Sequence, residues 1–86
     1  MKHFIVFYKA SNTGNSVLPL YFDGNTYSDA AWRFANSRVI SADDTGSDEI
    51  TSSDELIIFI THILNEKNYE CMGLVESKSP ISYIEP

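Results

Sequence analysis

Residues 52–67, SSDELIIFITHILNEK, hold the pattern that most constrains the fold. Leu56, Phe59, Ile60, Ile63 and Leu64 recur at helical spacing, Ile57 widens that face, and Ile58 falls nearly opposite it. A helix here presents one apolar stripe that a second layer has to cover. Its start is marked too: Ser52 and Glu55 stand three apart in capping-box register, in which a hydroxyl accepts from a backbone N–H of the first turn while the glutamate reaches back. Asp54 and Glu55 then lie in the first turn, where acidic side chains complement the helix dipole by a few tenths to about 1 kcal/mol each.

The covering layer is written at both ends of the chain. HFIVFYK (3–9) is dense in β-branched and aromatic residues and apolar at both alternating sets of positions, the pattern of a central strand buried on both sides. ASNTGNS (10–16) is turn-rich, and VLPLYFD (17–23) reads as the second arm of a hairpin, with Pro19 confining it to an edge or a bulge. After Asp23-Gly24-Asn25, a short first helix is expected from about Asp29 to Ser37. Ser28 is its expected N-cap, Asp29 complements its dipole, and Tyr27 and Trp32 stand at the spacing of a hydrophobic staple. Its stripe is Ala31, Phe34 and Ala35 with Ala30 beside it, so Arg33 points away from the core. RVIS (38–41) reads as a brief strand, the Ser, Thr, Asp and Gly mixture after it as a loop, and YECMGLVES (69–77) and ISYIE (81–85) as strands joined through residues 77–80. The expected order is β-β-α-(β)-α-β-β. The expected fold is a single α+β domain over 1–86, a mainly antiparallel sheet packed by two helices.

Charge is distributed very unevenly. The chain has 12 acidic and 6 basic residues, and residues 41–55 hold Asp43, Asp44, Asp48, Glu49, Asp54 and Glu55 with no lysine or arginine. Removing those six leaves 6 acids against 6 bases, so the formal charge of −6 arises within this stretch. Such a balance, with Lys2, Lys9, Arg33, Arg38, Lys67 and Lys78 scattered, argues against direct nucleic-acid binding, which rests on lysine and arginine displacing counterions. The apolar run from Phe4 to Tyr8 ends at Lys9, far short of a membrane span. Cys71 is the only cysteine, so there is no internal disulfide and no cysteine zinc set, and a reducing, cytoplasmic setting is expected.

Motifs of chemistry are missing as well. A calcium loop begun at Asp43 would need glycine at its sixth place and glutamate at its twelfth, where Asp48 and Asp54 stand. Cys71 with His3 or His62 is the one thiol–imidazole combination, and Cys71 falls inside an expected strand, where a free cysteine behaves as a small hydrophobe. Gly14, Gly24, Gly46 and Gly73 are too far apart for a phosphate-binding loop. Adjacent acids on a polar loop are solvated rather than tuned for acid–base work. No cofactor, no metal site and no enzyme activity are expected.

Asp54 and Glu55 are accounted for by the helix they open, which leaves Asp43, Asp44, Asp48 and Glu49. Their plainest role is a solvated connection; their functional role is a recognition surface for a protein partner with a basic surface. Trp32 and Arg33, adjacent on the first helix, and the tyrosines at 21, 27, 69 and 83 belong to types enriched at interface hot spots. The simpler role for Trp32 is to complete the core and staple. In size and charge the chain resembles the small, acidic, motif-poor proteins with which phages and mobile elements block host enzymes, such as DNA mimics and anti-CRISPR proteins. That resemblance implies a non-enzymatic inhibitor whose acids occupy a basic nucleic-acid channel, where electrostatic steering speeds association. The alternative is a structural protein that assembles a homodimer or larger homo-oligomer through a strand edge, followed by a small enzyme or metal-binding protein.

Overall fold

The computed structural model describes residues 1–12, 16–38, 40–41 and 49–78. Their elements follow the chain as β1 (Lys2–Ala10), β2 (Leu18–Gly24), α1 (Tyr27–Ala35), α2 (Ser53–Glu66) and β3 (Tyr69–Ser77). β1 lies between its neighbours in the order β2-β1-β3, antiparallel to both. The fold is the expected α+β type, with the two-sided apolar strand at the centre of the sheet and Pro19 on an outer strand.

Alternation along the strands divides the sheet into two unlike faces. On one, Phe4, Val6 and Tyr8 of β1 are buried with Ala30, Ala31 and Phe34 of α1 and Leu56, Ile60, Ile63 and Leu64 of α2. Phe59 is partly buried against this core, and Ile58 is 69% exposed, as the stripe requires. Fully burying side chains of this size contributes about 1.5–3 kcal/mol each. On the other face the register sets Ile5, which is buried, between Tyr21 and Val75, and Phe7, which is half-buried, between Pro19 and Gly73.

Both helices open with the same arrangement. Thr26 caps α1 by accepting from the Asp29 N–H at 3.0 Å, and the Asp29 carboxylate reaches back to the Asn25 N–H at 3.0 Å. Ser52 caps α2 by accepting from the Glu55 N–H at 3.2 Å, and the Glu55 carboxylate takes the Thr51 N–H at 3.2 Å. In each case the acid serves the residue before the cap rather than the cap itself.

Three expectations are corrected. The N-cap of α1 is Thr26 and not Ser28, so the helix starts two residues early and ends at Ala35. With the start moved, Tyr27 and Trp32 no longer occupy staple positions; Tyr27 packs against Phe4 at 6.1 Å between ring centroids, and Trp32 is 56% exposed. RVIS forms no strand among its described residues. Its backbone bonds locally, from the Ile40 N–H to the Ser37 carbonyl at 3.2 Å and from the Ser41 N–H to the same oxygen at 2.7 Å, while the Ile40 side chain is buried in the core. The expected strand 81–85 lies outside the described residues, whose order is β-β-α-α-β.

Two positions let the elements approach closely. Gly24 ends β2 beneath α1, where an added Cβ would collide with the Ala30 N and lie 2.7 Å from the Ala30 Cα. Because the obstacle is helix backbone, Gly24→Ala is expected to lower stability by about 1–3 kcal/mol. A chemical-denaturation midpoint equal to that of the wild type would contradict this close approach. Asn68 takes φ 64° between α2 and β3, a left-handed conformation that asparagine tolerates better than most residues, and its carbonyl accepts from the Ser11 N–H at 3.0 Å.

Candidate functional site

Strand directions determine how the two helices, and with them the two ends of the acidic stretch, are oriented. β2 and β3 are both antiparallel to β1 and therefore parallel to each other. α1 returns along β2 and α2 leads back into β3 through a two-residue turn, so the two helices point the same way. The segment joining them leaves beside the C-terminal end of α1 and re-enters at the N-terminal end of α2. Both N-termini, each the positive end of a helix dipole, lie at one end of the molecule.

That connection is fastened at both ends. Beside the helix C-termini, the Ser41 hydroxyl donates to the carbonyls of Ser37 and Arg38 at 3.4 and 3.3 Å, and the Lys67 ammonium donates to the Ser41 carbonyl at 3.5 Å. Beside the N-termini, the Ser28 hydroxyl accepts from the Ile50 N–H at 2.8 Å and donates to the Ile50 carbonyl at 3.2 Å. One side chain thus satisfies both backbone groups of a residue 22 positions away. Glu49 is exposed next to this fastening, whereas Asp43, Asp44 and Asp48 lie outside the described residues.

Ion pairing separates the acids into two groups. Asp23 and Asp29 flank Arg33, with Nη1 2.8 Å from Asp23 Oδ1 and Nε 3.7 Å from Asp29 Oδ1. Glu70 pairs with Lys9 and Glu76 with Lys2, each at 3.8 Å, and Glu66 lies 3.0 Å from His62 Nε2. Every described carboxylate outside residues 41–55 therefore faces a basic group. Within that stretch, Glu49, Asp54 and Glu55 have no cation within ion-pair distance among the described residues. Each exposed pair contributes little to stability, about 0–1 kcal/mol. Their importance is in the accounting, because Lys2, Lys9 and Arg33 are used on acids outside the stretch and none of them pairs with Glu49, Asp54 or Glu55.

Lys2 links the acidic end to the sheet. Its ammonium lies 4.8 Å above the Tyr27 ring, and the Tyr27 hydroxyl donates to Glu76 Oε1 at 2.9 Å. That hydrogen bond, with smaller contributions from burial and the glutamate charge, holds the Tyr27 phenol above its ordinary pKa. Lys2, Tyr27, Ser28, Glu49 and Thr51 border an open cleft of about 360 Å³.

The other singled-out residues are dispersed. Trp32 is exposed in the second turn of α1, and its neighbour Arg33, though also exposed, is held by Asp23 and Asp29 on the β2 side. Tyr21 is exposed on the sheet face opposite the helices, and Tyr69 meets Tyr8 edge-on at 5.1 Å. Burial, followed by the neighbouring Tyr69, raises the Tyr8 phenol. Tyr83 lies outside the described residues. Cys71 is opposite Tyr8 on the helix-covered face, His3 is five residues back along β1 on the other face, roughly 17 Å away along the strand, and His62 is exposed on α2. The fold therefore brings Cys71 together with neither histidine. Among the described residues no three His, Cys, Asp or Glu side chains converge to hold a metal ion, and no helix is long and apolar enough to cross a membrane.

Ser28 is the site residue that sequence reasoning misplaced. Its partner is far away along the chain and is a backbone group, so no local pattern marks the pairing. The cap that displaced it was readable, since Thr26 and Asp29 stand three apart, as Ser52 and Glu55 do. Comparison with protein-family models, curated proteins and solved structures finds no match to this chain.

Proposed function

We propose that this chain is a non-enzymatic binding protein that engages a basic surface on a protein partner through Asp43, Asp44, Asp48 and Glu49, with Trp32 and Arg33 on the neighbouring helix. One observation supports the reading: the described carboxylates outside the acidic stretch are paired internally, while its described members Glu49, Asp54 and Glu55 have no cation within ion-pair distance among the described residues. A partner that supplies those charges is steered in by them and gains specificity from the match. A protein that handles nucleic acid has such a basic channel. An inhibitor that occupies it, of the kind phages and mobile elements deploy, is the specific role we infer, in a cytoplasmic setting where Cys71 stays reduced.

The test is capture from host lysate by the wild type and by a variant carrying Asn or Gln at positions 43, 44, 48 and 49. That variant has a formal charge of −6 + 4 = −2 and should fold normally, since solvated surface charges rarely change stability by more than about 0.5 kcal/mol. The wild type is expected to retain a protein at low salt that the variant does not. Identical retention by both would reject the acidic stretch as the binding surface and direct attention to Trp32.

Self-assembly is a second reading, favoured by the exposed Tyr21 and Val75 that flank the buried Ile5 on one sheet face, at 39% and 49% exposure. Strand-edge pairing is less favoured, because Pro19 interrupts the donors of β2 and a bulge beside Phe7 and Tyr8 interrupts β3. Three strands about 4.8 Å apart, two of nine residues and one of seven at about 3.3 Å each, make a face of roughly 400 Å². A standard interface uses about 800 Å² per partner, so association through this face would be weak. Sedimentation equilibrium decides the point: this reading expects a concentration-dependent dimer that Val75→Lys abolishes, and a monomer throughout removes it.

A further inference from the structure

We draw no further inference here: the strongest candidate, the open cleft bordered by Lys2, Tyr27, Ser28, Glu49 and Thr51 at the N-terminal ends of the two helices, carries nothing because a helix N-terminus alone defines no ligand and nothing in the structure shows what occupies it.

Discussion

Phe34→Ala is expected to destabilise the protein by about 3–5 kcal/mol. At about 0.05–0.15 kcal/mol per residue, 86 residues supply roughly 4–13 kcal/mol in total, so this one change threatens folding itself. The size of the effect follows from how α1 packs. Ala30, Ala31 and Ala35 let the helix lie close to the sheet, and Phe34, fully buried, is its one large core side chain. Its ring lies 5.4 Å from Phe22, which stacks on Phe4 at 5.1 Å. Removing it leaves a void that the small neighbouring alanines cannot fill. A chemical-denaturation midpoint within error of the wild type would show that α1 is not packed in this way.

Ile60→Ala is expected to cost about 2–5 kcal/mol, whereas Ile58→Ala, two positions away, should stay within about 0.5 kcal/mol. Ile60 is fully buried in the one core cluster that also holds Phe4, Val6 and Tyr8 of the sheet, and Ile58 is 69% exposed. The pair tests the orientation of α2 independently of its existence. Equal losses at both positions would mean that the helix is rotated relative to the sheet.

α2 was legible because two signals agreed, the Ser52–Glu55 cap and an uninterrupted apolar stripe, and its observed limits follow them. β3 occupies 69–77 as expected, and β1 is central as its two-sided pattern requires. Where signals competed, the local reading failed. Around α1, Thr26 and Ser28 both offered a capping hydroxyl, and a hydrogen bond from a residue 22 positions away left Ser28 for Ile50. In RVIS, β-branched residues suggested a strand, but Ile40 serves as a core plug whose N–H bonds to Ser37. Trp32 had the spacing of a staple only while the helix was taken to start at Asp29.

The acidic stretch was legible as arithmetic and not as geometry. Counting residues located the −6 within 41–55. That the remaining described acids would each find a basic partner depended on the fold, since Asp23–Arg33, Lys9–Glu70 and Lys2–Glu76 join distant parts of the chain. The parallel course of the helices, which sets the two ends of the acidic connection at opposite ends of them, follows from strand pairing that no local pattern encodes.

The central claim, that these acids draw in a basic partner, is tested most directly by association kinetics with the captured protein at two ionic strengths. In about 0.01 M salt, where charges act over about 30 Å, the variant neutralised at Asp43, Asp44, Asp48 and Glu49 is expected to associate at least about tenfold more slowly than the wild type. At about 1 M, where screening confines charges to about 3 Å, the two rates should converge. Equal association rates at low salt would contradict the account and leave residues 41–49 as a solvated connection between two helices.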